Sequence, residues 1–130
     1  MRKPVWLDQR ALMLLHAESL AEHGGLWGMR DEAGLQSALA RPRNVHAYER
    51  SADEARLAAA YGFGIVRGHP FSDGNKRAGF LAIGLFLTLN GFDLEVENSD
   101  AVKTILDLAA GALNEKGLAQ WIRARIKRRK

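Results

Sequence analysis

The sequence predicts an all-α chain of about six helices packed around one buried central helix, with only short strands. Three observations lead there. Twelve consecutive residues, Ala78 to Leu89, are apolar or glycine except Thr88, which predicts a helix apolar on every face and so buried on all sides. The flanking segments repeat apolar residues at helical intervals between cap and stop signals. Only Phe92 to Val96, with Asp93-Leu94-Glu95-Val96, alternates as a short strand does. At 130 residues the chain is expected to form one domain, 1–130, burying roughly two thirds of its unfolded surface.

In chain order, Pro4 to Leu7 is an extended lead-in, and Asp8 is a good N-cap for a helix from Gln9 to about His23. Leu12, Leu14, Leu15, Ser19 and Leu20 form its apolar stripe, and Gly24-Gly25 ends it. His16 and His23 lie seven apart with no third ligand type beside them, which argues against a zinc site. Leu26 to Arg30 reads as loop; Asp31 then caps a short helix through Ala40 that Pro42 terminates. Arg41 to Arg50, with Arg43, Asn44, His46 and Tyr48, lacks helical periodicity and reads as a polar connection.

Ser51-x-x-Glu54 reads as a capping box opening a helix that runs to about Gly68. Ala58, Ala59, Ala60, Gly62 and Gly64 make this helix small-sided, so it can lie close to the central one. No strand precedes these glycines, so they do not form a dinucleotide-binding turn. The central helix is capped by Ser72 or Asp73 and stops at Asn90-Gly91. After the short strand, Ser99 or Asp100 starts a helix through about Leu113. Asn114 caps the last one, Glu115 to Arg125 or beyond, with Leu118, Trp121, Ile122 and Ile126 facing inward.

Composition narrows the classes of function. With no cysteine there is no disulfide and no thiolate metal site, and a reducing cytoplasm suits the chain. The longest apolar run is too short to span a bilayer, and Met1 to Asp8 lacks the apolar core of a signal peptide, so a soluble protein without membrane attachment is expected. Net charge is +4, but six of the last eight residues are Arg123, Arg125, Lys127, Arg128, Arg129 and Lys130. No aromatics interleave with them, so the tail reads as a solvated or weakly anion-contacting end, not a nucleic-acid platform.

The chemistry gathers just before the central helix, in His69-Pro70-Phe71-Ser72-Asp73-Gly74-Asn75-Lys76-Arg77. A helix N-terminus presents unpaired N–H groups and partial positive charge, which together make an anion site. Gly74 allows close approach to the backbone. Lys76 and Arg77 add cations, and Asp73 is a hard oxygen ligand suited to Mg²⁺. His69 is of the residue type suited to taking a proton from a hydroxyl. Asn75 is expected to shape the loop. Each residue has a plain structural reading when taken singly: a loop histidine, an N-cap, a solvated pair, a Gly-Asn turn. Together they place base, metal ligand, amides and cations within nine residues.

This nine-residue signature resembles that of the Fic/Doc family, and specifically its Doc branch, the "death on curing" toxins of bacterial toxin–antitoxin pairs. The likeness extends to His23-Gly24-Gly25 and Gly28-Met29-Arg30-Asp31, and covers the chain to about Leu94. Ala40-Arg41-Pro42 through Tyr48 resembles the family's flap, which lays a target segment across the site by strand-like pairing. Arg67 resembles an arginine at the same spacing in Doc proteins, and two roles are open to it here, contacting phosphate or capping carbonyls.

Fic proteins that transfer AMP usually have a second glycine where this chain has Lys76 and a second arginine where it has Phe80. The resemblance therefore implies the Doc chemistry. ATP with Mg²⁺ would bind in the inverted sense, and its γ-phosphate would pass to a Ser or Thr hydroxyl of a protein substrate, elongation factor Tu, with arrest of translation. His69 is implied as base and Asp73 as metal ligand. Gly74, Asn75, Lys76, Arg77 and Arg67 are implied around the phosphates, with Pro70 and Phe71 supporting the motif. A separate Phd-like antitoxin, whose C-terminal segment covers the site, is implied as partner. No Ser or Thr here is followed four residues later by Glu, the pattern of a built-in inhibitory helix. AMP transfer, and a non-catalytic module that binds nucleotide or antitoxin, are the alternative functions.

Overall fold

A computed structural model describes residues 3–130. Met1 and Arg2, at the head of the segment read as lacking a leader's apolar core, lie outside the described residues. The element order is α1 (Gln9–His23), α2 (Glu32–Tyr48), α3 (Glu54–Gly68), α4 (Asn75–Leu89), β1 (Phe92–Leu94), α5 (Asn98–Ala110), α6 (Glu115–Arg123) and β2 (Ile126–Arg128). The expected all-α architecture is present, with six helices among the described residues and, as their one sheet, a two-stranded antiparallel pair. One apolar core takes residues from every helix, from Leu12 on α1 to Ile122 on α6.

Helices α3 and α4 form its centre, and their closeness follows from small residues. A side chain on Gly62 would strike Ile83, and one on Gly79 would strike Val66. Ala78, Gly79, Ala82, Ile83, Phe86 and Leu87 make the fully buried face of α4. The other face is only half covered: Phe80, Leu81, Gly84 and Leu85 are intermediate and Leu89 is exposed. The expectation of burial on all sides is corrected, because one sector beside α5 stays open and becomes a cavity.

The second helix departs most from expectation. It does not stop at Ala40 but runs through Pro42 to Tyr48, so residues 41–48 are helix, neither a polar connection nor a flap. Proline forfeits one backbone bond and crowds the preceding turn, yet contacts on both sides of it hold the helix. Pro42 itself is buried, Arg41 pairs with Glu115 of α6, and Val45 packs on the core. Arg43 and His46 close on Trp6, with the guanidinium 5.3 Å and the imidazole 5.6 Å from ring centroids.

Caps and ends shift locally. Asp8, Asp31 and Asn114 cap as expected, accepting from Arg10, Gly34 and Gly117 N–H respectively. Asp53, not Ser51, caps α3, accepting the Arg56 N–H. On α1, Leu14 is 70% exposed and His16 joins Leu12, Ser19 and Leu20 on the buried face. Helix α5 begins a residue or two early, at Asn98, and ends at Ala110, before Leu113, because Gly111 turns left-handed (φ 83°).

The C-terminal stretch is a strand where helix was expected. After Arg123 the chain turns and pairs with β1, Phe92 opposite Arg128 and Leu94 opposite Ile126. Its cations are largely engaged: Arg123 with Asp53, Arg125 with Asp100, Arg129 with the Thr88 carbonyl, and Arg128 4.9 Å over the Phe92 ring. The tail is therefore structural and not simply a solvated end. Among the described residues no helix is long and apolar enough to cross a membrane.

Candidate active site

Pro70 cannot continue α3, so the helix ends at Gly68 and His69 becomes its cap in the left-handed region, φ 49° and ψ 53°. It is the one non-glycine residue with positive φ among the described residues, a conformation that costs of order 1 kcal/mol or more and needs its surroundings to impose it. Arg30 supplies part of that constraint, its Nε donating to the His69 carbonyl at 3.1 Å. The Arg30 and Asp31 N–H groups both donate to the Pro70 carbonyl, at 2.9 and 3.0 Å. The imidazole of His69 is exposed, its Nδ1 lying 3.3 Å from the Arg67 carbonyl.

Between Pro70 and α4 the chain is pinned from beneath. Phe71 is buried, and Asn75 grips it twice, accepting its N–H at 2.9 Å and donating to its carbonyl at 3.0 Å. Asn75 thus shapes the loop, as expected. Met29 bridges Phe71, and Ser72 N–H donates to the Gly28 carbonyl at 3.0 Å, so the segment after α1 runs alongside as a second strand-like layer.

Neither Ser72 nor Asp73 caps α4. Gly74 occupies the cap position with φ 73°, and among the described residues no side chain bonds to the helix N-terminus. The Asp73 side chain is drawn off the helix: its Oδ1 accepts the Gly74 N–H at 2.9 Å and its Oδ2 accepts the Leu26 N–H at 3.1 Å. Each oxygen retains acceptor capacity for a cation. The first helical bond is Ala78 N–H to the Gly74 carbonyl, so the amides of Asn75, Lys76 and Arg77 precede it and have no helical partner. Gly74's own N–H is already taken by Asp73, which leaves the amides of Asn75, Lys76 and Arg77 as the open ones.

These groups open onto one cavity of about 550 Å³. The polar wall is His69, Ser72 to Arg77 and Asn98; the apolar wall is Phe80 with Ala101, Val102, Ile105 and Leu106 of α5. Lys76 and Arg77 are exposed and have no ion-pair partner among the described residues. The size lies within the ordinary range for small-molecule sites. A carboxylate with spare lone pairs, a bare helix N-terminus and two unpaired cations are the donor set that a magnesium–nucleotide needs. Arg67 is not among the lining residues; its guanidinium lies 5.7 Å from the Phe63 ring centroid.

Several contributors escaped the sequence reading. His16, fully buried on α1, sits with Nε2 3.0 Å from the Asp73 carbonyl oxygen and its ring 4.3 Å from that of Phe71. Burial pushes its pKa down, against the opposing pull of the Asp73 carbonyl and carboxylate. Its identity as a lone histidine on an apolar face carried no signal of this. Arg30 and the Leu26 amide act through backbone bonds, which residue types do not advertise. The α5 wall was legible as an apolar stripe, but not as the side of a cavity; Val102 and Leu106 are about half exposed there, at 55% and 51%.

Comparison with known proteins adds three matches. A model of the Fic/DOC family matches residues 6–87. The protein named Protein kinase doc from Escherichia phage P1 is 30% identical over 117 residues, covering 90% of this chain and 92% of the relative. Toxin Doc from Mycolicibacterium smegmatis is 39% identical over 88 residues, covering 65% of each.

Proposed function

The chain belongs to the Fic/DOC family, on its Doc branch, and from that premise we propose that it is the toxin of a toxin–antitoxin pair and a protein kinase. It moves the γ-phosphate of ATP to a Ser or Thr hydroxyl of a protein substrate, with elongation factor Tu the substrate that the Doc resemblance supports and blocked translation the result. One observation carries the reading: His69, Asp73, the uncapped N-terminus of α4, Lys76 and Arg77 all line the same cavity. The printed names of the relatives, a protein kinase and a toxin, support it.

The residues divide the work as follows. The amides of Asn75, Lys76 and Arg77 and the side chains of Lys76 and Arg77 hold the phosphates, and Asp73 holds Mg²⁺. Bound there, the metal would neutralise developing charge on the phosphate oxygens. His69 accepts the hydroxyl proton as the substrate oxygen bonds to the γ-phosphorus and the bond to the β-phosphate oxygen breaks, releasing ADP. Pro70 and Phe71 keep His69 and Asp73 at opposite ends of one short, anchored loop. Residues 25–30 run beside the site, bridged to Phe71 through Met29 and with Leu26 and Trp27 exposed, and are the surface this reading assigns to the target segment. Arg67 has no part in this scheme.

Lys76 and Phe80, the two departures from the AMP-transferring pattern, both line the cavity. That placement favours phosphoryl over adenylyl transfer: a lysine crowds the path that glycine would leave open, and phenylalanine binds no phosphate. The protein acts in the cytoplasm with neither membrane nor nucleic acid as partner, restrained by a Phd-like antitoxin whose C-terminal segment covers the cavity. Intact-mass analysis of elongation factor Tu after incubation with the protein, ATP and Mg²⁺ tests the reading. A phosphate adduct supports it; an AMP adduct, or an unmodified factor alongside another modified protein, corrects the chemistry or the substrate respectively.

A further inference from the structure

We propose that His16 is a positioning residue for Asp73, acting through the Asp73–Gly74 peptide to aim the carboxylate into the cavity. The inference rests on the reading of Asp73 as the metal-holding carboxylate and assigns a residue of α1 to the same site.

The contact runs through the backbone. A carbonyl oxygen only accepts, so the 3.0 Å contact between His16 Nε2 and Asp73 O requires the proton on Nε2. That bond fixes the direction of the Asp73 carbonyl. The peptide unit is planar, so the N–H of Gly74 is fixed with it, and this N–H donates to Asp73 Oδ1 at 2.9 Å. A histidine on α1 thereby sets the rotamer of a carboxylate 57 residues away. The Leu26 N–H, from the segment that follows α1, holds the second oxygen. Both restraints on Asp73 therefore come from α1 or its immediate continuation.

Two further observations set His16 apart from an ordinary core residue. Its Nδ1 is buried with no partner among the described residues. A phenylalanine or leucine would remove the orphaned Nδ1 but would leave the Asp73 carbonyl without its donor, so the imidazole's cost at Nδ1 is matched by the bond it makes at Nε2 and not by packing. The ring is also fitted to the turn it supports. A side chain on Gly74 would come within 2.8 Å of His16 Cε1, so glycine at position 74 serves both the positive φ and the seat of this ring.

The test compares wild type with His16→Phe, which fills the space but cannot donate, and His16→Gln, whose side-chain amide can. Amide exchange at Gly74, read by ¹⁵N NMR of the nucleotide-free protein, is measured beside γ-phosphoryl transfer titrated with Mg²⁺. The expected result for His16→Phe is Gly74 exchange accelerated about tenfold or more. Half-maximal transfer should then need roughly 10- to 100-fold more Mg²⁺, with the KM for ATP within about twofold of wild type; His16→Gln should recover most of both. A folded His16→Phe with wild-type exchange at Gly74 and a wild-type Mg²⁺ requirement would overturn the assignment. Should His16→Phe not fold, His16→Leu is read the same way. Accelerated exchange in a protein whose wild type transfers no phosphate would keep the positioning role and remove the kinase reading.

Discussion

The backbone N–H of Leu26 donates to Oδ2 of Asp73 at 3.1 Å, joining the segment after α1 to the acidic residue of the cavity. Proline at position 26 has no N–H to give. Leu26→Pro should therefore lower transfer by about tenfold or more and raise the Mg²⁺ requirement, whereas Leu26→Ala keeps the donor and should keep that requirement. Steady-state kinetics across a Mg²⁺ series separates the two.

Asn75 satisfies both backbone groups of buried Phe71 and is itself 9% exposed. Asn75→Ala leaves a buried donor and acceptor unpaired, each costing about 1–3 kcal/mol if water does not reach it. The variant should unfold about 2–4 kcal/mol more easily in urea, and it should lose activity even at temperatures where it stays folded, because His69 and Asp73 flank the loop that Asn75 shapes.

Glu115 at the start of α6 faces two guanidiniums, Arg41 of α2 and Arg56 of α3, the latter at 2.6 Å with side-chain exposures of 11% and 14%. Removing one member of such a cluster strands the other charges. Glu115→Gln should cost about 2–3 kcal/mol while leaving the kinetics of the folded protein unchanged, since no member lines the main cavity. Chemical denaturation paired with activity at low temperature checks both halves.

Arg123 holds Asp53 through two bonds, at 2.7 and 2.8 Å, and this hydrogen bonding keeps the Asp53 carboxyl below the usual carboxylate range. A depressed native pKa means that the unfolded chain takes up the proton first as pH falls. The stabilisation is full above the unfolded value and is lost as pH drops through the native one, in the range below about pH 4. Both side chains are over 40% exposed, at 47% and 41%, so Arg123→Gln should lose only about 0.5–1 kcal/mol at neutral pH. The gap from wild type should close on acidification, as thermal melts between neutral and acid pH would show.

Where sequence and structure agree, the signal was local; where they part, distant contacts decided. The central helix and its stop at Asn90-Gly91 carry their own apolar run and terminal glycine. The small residues of α3 announced close packing, and Gly62 and Gly79 sit at the contact. Pro42 is a local stop signal that Arg41, Arg43, Val45 and His46 jointly override through α6, Trp6 and the core. Ile126 to Arg128 became a strand because β1 offers a partner edge, a fact that helical spacing cannot contain. Asp73 looks like an N-cap by type, but the amides of Gly74 and Leu26 draw its side chain off the helix. His16 was weighed only as a metal ligand, since nothing at position 16 points to a carbonyl at position 73.

In the proposed reaction the cavity at the head of α4 moves a γ-phosphate, with His69 as the base. Purified protein with Mg²⁺ and bacterial lysate, given ATP labelled at the γ- or the α-phosphate in parallel reactions, tests it most directly. Label is expected on protein from the γ-position only, reduced about 10²- to 10⁴-fold in His69→Ala while that variant still binds ATP. Label arriving from the α-position, or γ-label undiminished in His69→Ala, would contradict it.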